Sequence, residues 1–306
     1  MRRFAFVFLF IFLFSSFAYA WGPGTHLELS AYLFSNLFLL APSLGRLLKK
    51  HAYSFFYGAV FADSIVGKKF ARQMNRCHSW GMGQRLLSEA DSQAQKAFAY
   101  GFLTHLSADV VAHNFFVPRQ IIASYRANAL GHFYWEMRFE QYLDNRVWDI
   151  ANQFAKSPVE EYDELMEKIL VSMLLPFRAS KRLFERLVIV QSIGRWRKLV
   201  NRMSERSPFP FSSDDFRYYL SLSVDAAIDF LTSGEKSWAV SLDPLGIEAI
   251  RAAQSIKRGL KKLNRFNAID NGFVSSLFEK LKAPKLRHGD LVKPRLDVII
   301  KQLGFK

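Results

Sequence analysis

The chain contains a single cysteine, Cys77, among its 306 residues. One cysteine cannot form a disulfide within the chain, so the folded state must be stabilised by its hydrophobic core or by other means, of which bound metal is one. Signals for β-strands are also scarce, because no stretch alternates apolar and polar residues between turn-forming Asn-Gly or Asp-Gly pairs. These absences exclude a disulfide-rich scaffold and argue against a fold built on β-sheets.

Acidic residues are few in comparison with basic ones. The chain has 27 Asp and Glu against 42 Lys and Arg, which gives a net charge of +15. A charge of this size favours approach to an anionic lipid surface or to nucleic acid, and it does not choose between them. Half of the residues are apolar and 30 are Phe, a composition that is typical of a folded globular protein rather than a disordered one.

Long apolar runs are absent except at the start of the chain. There, Met1-Arg2-Arg3 is followed by an apolar run over residues 4–14 and by small residues that end in Ala20. This order predicts a secretory signal peptide over residues 1–20, since the run is shorter than the roughly 20 residues that span a bilayer. We therefore expect an exported protein, periplasmic or extracellular, whose mature chain begins at Trp21. An uncleaved N-terminal anchor is the alternative.

Apolar residues recur at spacings of three and four along most of the chain, which predicts an all-α fold. The predicted helices cover residues 26–40, 95–115, 132–154, 159–175, 181–200, 214–231 and 247–263. Composition changes near residue 155, because most of the seven histidines precede it and helices rich in Lys and Arg follow it. This change predicts a ligand-rich region over residues 21–155 and a basic helical region over residues 156–306.

Three candidate metal ligands lie four residues apart in one predicted helix: His105, Asp109 and His113. An α-helix turns by about 100° per residue, so steps of four place these side chains along one side. Two imidazoles and a carboxylate between them offer nitrogen ligands and an oxygen ligand that can bridge two cations. A buried carboxylate is costly unless a metal or hydrogen bonds compensate it. Hydrogen-bonded core histidines or a solvated helix face are the alternatives.

A second pair with the same spacing is formed by His132 and Glu136. Alone this pair is a weak signal, because His and Glu four residues apart are common on helix surfaces. Its occurrence within about thirty residues of the first set strengthens both, since each spacing returns to one helix face. Glu140 continues the same face and could form a hydrogen bond that supports the ligands, although we expect it to be solvated.

The remaining candidates are scattered along the first part of the chain. If Trp21 is the first residue, its free α-amino group and its carbonyl oxygen could chelate a metal, and His26 is close enough in sequence to join it. Asp63 follows an aromatic and apolar stretch, and His78 lies in a segment that resembles a loop. Taken singly, Asp63 could equally cap a helix and His78 could equally be a surface histidine.

In their order along the chain, these nine positions resemble the ligand pattern of the zinc-dependent phospholipase C family and of the related fungal nucleases specific for single strands. The interval from Asp109 to His113 is shorter than in the phospholipases, and that from Trp21 to His26 is nearer to the nuclease pattern. The resemblance implies an all-α multi-helix bundle with the metal site between helices, and a cofactor of about three Zn²⁺ per chain.

The resemblance also implies how the ligands divide among the three ions. The first zinc would be held by Trp21, His26 and one oxygen of Asp109. The second would be held by Asp63, His78, His105 and the other oxygen of Asp109. The third would be held by His113, His132 and Glu136. Asp63 would in addition act as the general base that orients the attacking water.

The implied activity is hydrolysis of phospholipids to diacylglycerol and a phosphorylated head group by residues 21–155 as the catalytic region. The implied partner is a phospholipid or membrane surface, and no protein partner is evident. The first alternative is a single-strand nuclease or nucleotidase of the same metal architecture, for which the positive charge and stacking aromatics would suit nucleic acid. The second is a zinc-stabilised binding protein without catalysis.

Two further features have both a functional and a structural interpretation. Aromatic residues near the predicted ligands, among them Tyr57 and Phe61, could line a pocket or belong to the core. Basic clusters over residues 178–198 and 257–265 could associate with anionic head groups, or form ordinary solvated faces.

Overall fold

The computed structural model describes residues 21–64, 78–127, 132–156, 159–169, 177–192, 194–205, 207–209, 211–266, 272, 276–277, 283–288 and 291–305. The predicted signal peptide, residues 1–20, lies outside this part of the chain. All regular structure in the described residues is helical, which confirms the all-α prediction. None of the described helices combines the length and the apolar character needed to cross a lipid bilayer.

The α-helices are α1 (Pro23–Ser35), α2 (Pro42–Lys50), α3 (Ala52–Phe61), α4 (Trp80–Ser88), α5 (Gln93–Val111), α6 (Val117–Ala123), α7 (His132–Glu140), α8 (Asn145–Lys156), α9 (Glu160–Ile169), α10 (Phe177–Ser192), α11 (Gly194–Glu205), α12 (Ser213–Ser233), α13 (Ile247–Arg265) and α14 (Leu296–Gln302). Short 3₁₀-helical turns cover Leu37–Leu39, Ala62–Ser64, Gly234–Lys236 and Trp238–Ser241, and a π-helical turn covers Ala112–Phe116.

Two predicted helices are each divided in the structure. The helix predicted over residues 132–154 is divided into α7 and α8, and the one over residues 181–200 lies across α10 and α11. At the first division the backbone N–H of Asp144 donates to the Glu28 carboxylate of α1 at 3.0 Å. The apolar spacing continues across this turn, which explains why periodicity alone did not reveal it.

Helix α5 is the central helix of the fold. It begins with a capping box, in which the Ser92 hydroxyl accepts from the backbone N–H of Gln95 and the Gln95 side chain accepts from that of Ser92. Every residue from 101 to 111 is buried, and α3, α4 and α12 pack around this helix. A helix buried on all sides is normally apolar throughout, so each polar side chain within it calls for compensation.

Helices α3 and α5 approach so closely that their backbones touch through glycines. A Cβ atom added to Gly58 would lie 2.0 Å from the carbonyl oxygen of Phe98, and one added to Gly101 would lie 2.0 Å from that of Phe55. The close approach also brings the carbonyl oxygen of Ala59 within 2.8 Å of His105 Nδ1. The two glycines therefore allow the α3 backbone to come close enough to hydrogen-bond with His105 of the central helix.

We predict that Gly101→Ala lowers the free energy of unfolding by about 1–3 kcal/mol or more, because the added methyl group must force two helix backbones apart. Chemical denaturation of the purified protein would measure this change.

The matched control is Gly259→Ala in α13, where an added Cβ meets nothing within 4 Å. This change should raise the free energy of unfolding by about 0.5–1 kcal/mol, since Ala is the better helix former. If the two variants gave the same result, the α3–α5 contact would not be tight.

Candidate metal centre

Five buried side chains from four segments meet beside the central helix: His26, Asp63, His78, His105 and Asp109. We refer to them as the His/Asp cluster. Helix α5 supplies two of them, α1 and the turn Ala62–Ser64 supply one each, and the fifth precedes α4. Each of the five is no more than 1% exposed. All five were predicted as ligands from the sequence.

Four ligand atoms of the cluster converge at spacings suited to one metal ion. His78 Nε2 lies 3.3 Å from Asp63 Oδ1 and 3.5 Å from Asp109 Oδ2. His105 Nε2 lies 3.0 Å from His78 Nε2, 3.3 Å from Asp109 Oδ2 and 3.8 Å from Asp63 Oδ1. In a tetrahedral zinc site with bonds of 2.0–2.1 Å, ligand atoms are about 3.3–3.4 Å apart. Within the cluster, two overlapping sets of three, His26/Asp63/His105 and His78/His105/Asp109, have ligand atoms close enough to hold a metal ion.

The two carboxylate oxygens of Asp109 face different nitrogen donors. His26 Nε2 lies 3.3 Å from Oδ1 of Asp109 and 4.0 Å from Oδ2 of Asp63, whereas His78 and His105 face the other Asp109 oxygen. Among the described residues, His26 Nε2 and both Asp109 oxygens are buried without a hydrogen bond of acceptable geometry. Buried polar atoms in this state cost about 1–3 kcal/mol each, and bound cations would remove that cost.

Two members of the cluster, His26 and Asp109, have pKa shifts that favour the forms that metal binding requires. Burial, followed by the nearby His105, lowers the pKa of His26, so its imidazole is neutral. Burial tends to raise the pKa of Asp109, but the imidazoles of His105 and His26 outweigh burial and hold this pKa well below its usual range. Neutral imidazoles and an ionised carboxylate are the forms that coordinate a metal.

Backbone carbonyl groups orient two of the predicted ligand histidines. His105 Nδ1 lies 2.8 Å from the carbonyl oxygen of Ala59, and His113 Nδ1 lies 2.5 Å from that of Pro244. A carbonyl oxygen can only accept, so we assign the ring proton to Nδ1 in both residues. Nε2 then keeps its lone pair for a metal, in the usual manner of ligand histidines.

Trp21, the predicted first residue of the mature chain, is anchored next to Asp109. The indole N–H of Trp21 donates to the carbonyl oxygen of Ala108 at 3.1 Å. Its ring packs against Phe139 and Phe116, with centroids 4.0 and 4.8 Å away. Trp21 is fully buried, so its backbone is held beside the cluster by a large apolar anchor.

Glu140 is buried, so the expectation that it is solvated was wrong. Its Oε1 accepts from the backbone N–H groups of Gly24 and Thr25, at 3.0 and 3.3 Å, and so caps the start of α1. Gly22 has no room for a side chain here, because an added Cβ would lie 2.3 Å from Glu140 Oε1. Burial raises the pKa of Glu140 to about 8. This residue positions the segment that carries His26.

The last member of the predicted ladder lies just beyond the regular part of its helix. Helix α5 ends at Val111, and His113 lies in the π-helical turn Ala112–Phe116, where the backbone N–H of Val117 donates to the carbonyl oxygen of Ala112. This i→i+5 pattern accommodates one extra residue and changes the direction of the side chains that follow the turn. The placement of His105, Asp109 and His113 along one side of the helix stays a prediction.

The third predicted ligand set is described in part. His113 and Glu136 are both buried. The side chain of His132 lies outside the described residues, although its position at the start of α7 is within them. The grouping of His113, His132 and Glu136 around one zinc therefore stays a prediction.

A loop over residues 242–246 packs against two segments that carry predicted ligands. No sequence pattern had connected this loop with the site. Trp80, two residues after His78, donates its indole N–H to the carbonyl oxygen of Leu242 at 3.0 Å. Asn114 donates its side-chain amide to that of Asp243 at 2.9 Å. Within this loop, the sequence of Asp243-Pro244 indicates a break between helices and does not indicate a contact with the site. The basic C-terminal region thus helps to position the site.

Gly246 allows this loop its close approach. Its φ of +52° is in the left-handed region, and an added Cβ would lie 2.4 Å from the carbonyl oxygen of His113. We predict that Gly246→Ala lowers the free energy of unfolding by about 1–3 kcal/mol. It should also weaken the hydrogen bond from His113 to Pro244, which long-range ¹H–¹⁵N NMR of the imidazole would detect as a mixture of tautomers.

Gly304→Ala is the matched control, since its φ is +78° and an added Cβ meets nothing within 4 Å. It adds backbone strain of about 1–2 kcal/mol without a clash and should leave the His113 spectrum unchanged. An unchanged His113 spectrum in Gly246→Ala would show that the loop does not orient this ring.

Comparison with known proteins agrees with the ligand pattern. A family model described as zinc dependent phospholipase C matches residues 25–181, more than half of the chain and all of the predicted ligands except Trp21. No curated protein and no solved structure matches the chain. The buried His/Asp cluster, the all-α fold and this match together show that the chain belongs to the zinc-dependent phospholipase C family.

Proposed function

We propose that the protein is an exported zinc-dependent phosphodiesterase that hydrolyses phospholipids to diacylglycerol and a phosphorylated head group. The observation that carries this proposal is the position of Asp109, whose two oxygens face separate nitrogen donors within 3.3–3.5 Å. A buried carboxylate between two donor sets is what a cluster of neighbouring zinc ions requires. Membership of the family supports the type of reaction.

The residues present would hold the cations as follows. Asp63, His78, His105 and Asp109 would hold one zinc ion. His26, Asp109 and the backbone of Trp21 would hold a second. His113, His132 and Glu136 would hold a third, for a total of about three. Zinc, when bound, supplies a Lewis acid that offsets charge on phosphoryl oxygens and lowers the pKa of water toward about 7.

The side chains of the protein orient the water and accept its proton. Asp63 is buried within the cluster, and its Oδ2 faces His26 at 4.0 Å while Oδ1 faces His78 at 3.3 Å. We assign to this carboxylate the role of general base, which receives a proton from the water that attacks phosphorus. The bond from phosphorus to the glycerol oxygen then breaks, and diacylglycerol leaves as the alcohol when its oxygen receives the proton that Asp63 took from water.

An apolar cavity next to the cluster supports a lipid as substrate. The cavity is a narrow apolar cleft between α3, α8 and α10, and its lining includes Tyr57, Phe61, Ala151, Phe154, Phe184 and Val188. Pro23 and Ser64 also line it, and they are near neighbours in sequence of Trp21, His26 and Asp63. Tyr57 and Phe61 line this cleft and also belong to the hydrophobic core, so they have both of the roles considered for them.

The charged residues of this cavity are paired with one another. Lys181 Nζ lies 2.6 Å from Asp163 and 3.9 Å from Glu185, and its side chain is 6% exposed. It also lies 5.9 and 5.8 Å from the ring centroids of Tyr57 and Phe61. With these charges engaged, the cavity suits the apolar part of a lipid better than the polar base and sugar of a nucleotide.

Export is part of the proposal because it provides the free N-terminus. The order of residues 1–20 supports cleavage after Ala20, and a free α-amino group on Trp21 would complete the donor set of His26. We propose a periplasmic or extracellular location on this basis. The nuclease alternative is favoured by one observation, the net charge of +15.

We predict that protein purified after natural export begins at Trp21 by mass determination and contains about three zinc ions per chain by elemental analysis. Asp109→Asn should lose the most zinc, because two donor sets share this residue. Hydrolysis of p-nitrophenylphosphorylcholine should fall by about 100-fold or more in this variant, since zinc sites commonly supply several kcal/mol of catalysis.

The matched control for this prediction is Asp225→Asn. Asp225 is also a buried helical aspartate, but it binds the backbone N–H groups of Arg287 and His288. The control should keep its zinc even if it is less stable. A folded protein that binds no added zinc would contradict the whole proposal, and zinc without hydrolysis of any phosphodiester would support the binding-protein alternative.

The cavity predicts a dependence on the lipid chain. Ala151→Leu narrows it, so KM for a long-chain phosphatidylcholine should rise about tenfold, which corresponds to about 1.4 kcal/mol of lost binding. Hydrolysis of p-nitrophenylphosphorylcholine, which has no acyl chain, should change less than twofold.

The control is Ala252→Leu, which makes the same change of side chain at an exposed position of α13. Equal losses on both substrates in Ala151→Leu would argue against a lipid-binding cavity. Rapid hydrolysis of single-stranded DNA, with none of phosphatidylcholine, would favour the nuclease.

A further inference from the structure

Helix α13 carries a line of exposed basic residues: Arg251, Arg258, Lys262 and Arg265. Their steps of seven, four and three keep them on one side of an α-helix. From the first to the last, the line extends over fourteen residues, or about 21 Å at 1.5 Å per residue. Exposed Arg126, which follows the adjacent helix α6, adds a fifth charge. We refer to these five side chains as the basic face.

Acidic residues are scarce in the two segments that form this surface, since exposed Glu248 in the first turn of α13 is the one acidic residue of that helix. Residues 117–127 and 249–266 contain eight basic residues and no Asp or Glu: Arg119, Arg126, Arg251, Lys257, Arg258, Lys261, Lys262 and Arg265. Helix α13 packs against α6, and the two segments meet where the Tyr125 hydroxyl reaches Asn264. So many like charges in one place repel one another and would be stabilised by an extended anionic surface.

The end of the basic face also exposes apolar side chains. Phe266 is 81% exposed and directly follows Arg265. Leu263 is 41% exposed and follows Lys262, about 100° farther around the helix. Exposed Phe and Leu beside a row of Lys and Arg are typical of a helix that lies in the interface of a lipid bilayer. There the apolar groups enter the acyl boundary while the cations remain among the head groups.

We propose that the basic face binds the surface of an anionic phospholipid bilayer. A straight helix side presents its charges along one line, as an interfacial helix does. Sites for single-stranded nucleic acid instead combine a groove with several stacking aromatics, and Phe266 is the one exposed aromatic on this face among the described residues. This proposal concerns attachment and goes beyond the proposed hydrolysis.

The basic face begins on a helix whose start adjoins the candidate metal centre. Helix α13 begins directly after Gly246, which contacts the backbone of His113, and Arg251 follows within two helical turns. Attachment through this helix would therefore hold the cluster close to the bilayer and raise the local concentration of substrate.

The test measures binding of the full mature protein to vesicles by sedimentation, in the cold and over short times. One set of vesicles is phosphatidylcholine alone, and the other contains phosphatidylcholine and phosphatidylglycerol in equal parts. The protein should bind the second set more tightly, and added salt should weaken this binding.

The variant Arg258→Gln/Lys262→Gln should bind the anionic vesicles roughly thirty-fold more weakly, at about 1 kcal/mol for each charge removed. Phe266→Ser should also weaken binding, and its effect should persist at high salt. The control Lys49→Gln/Lys50→Gln removes two exposed charges from α2 and should bind as the unmodified protein does. All of these variants should hydrolyse p-nitrophenylphosphorylcholine at the unmodified rate, so a failure of attachment is separable from a failure of catalysis.

Two results would overturn the proposal. One is equal binding of both vesicle types, or equal binding by the α13 variant and the α2 control. The other is displacement of the protein from anionic vesicles by a single-stranded oligonucleotide, with binding to that oligonucleotide lost in the α13 variant. The second result would identify the basic face as a nucleic-acid surface instead.

Discussion

The burial of one carboxylate, that of Asp109, is the constraint on which the rest of the structure depends. It lies in a helix that is enclosed on all sides, and its two oxygens have no hydrogen bond among the described residues. Imidazoles from three other positions lie within 3.5 Å of its oxygens, and a second carboxylate, that of Asp63, lies within 4.0 Å of the same three imidazoles. Each of these groups is expensive to bury alone, and together they form a donor set that cations would satisfy. The glycine contact between α3 and α5, the anchor formed by Trp21 and the cap formed by Glu140 all serve to hold these groups in register.

The C-terminal half of the chain contributes more to the site than its composition suggested. The loop over residues 242–246 orients His113 and contacts Trp80, while α10 closes the apolar cavity beside the cluster. Much of this half lies beyond the region that matches the family. A separate domain boundary near residue 155 stays a prediction, but the contacts of the site cross that point in the chain. Chemistry and its support are therefore divided between the two halves.

Residues that are neighbours within one helix could be placed together from the sequence, whereas neighbours from different segments could not. His105 and Asp109 were placed together correctly, because a step of four within an α-helix fixes their relative direction. Asp63 and His78 could be added only through the resemblance to the family, since they come from different segments. The π-helical turn that follows Val111 and contains His113 was not predicted, because apolar spacing does not reveal such a turn. Glu140 was expected to be in solvent. Its burial was missed because it depends on hydrogen bonds to the start of α1, more than a hundred residues away.

The sequence by itself determined the all-α class, the helical periods, the excess of positive charge and the chemical types of the candidate ligands. These properties are local or compositional, so they can be read without knowing which segments meet. Only the tertiary structure decided that five of those ligands share one buried site, that a carbonyl oxygen of Pro244 orients His113, and that an apolar cavity adjoins the cluster. The physical reason is that distance, burial and hydrogen bonding between remote segments follow from how the helices pack, and a glycine at a crossing changes that packing without changing any local pattern.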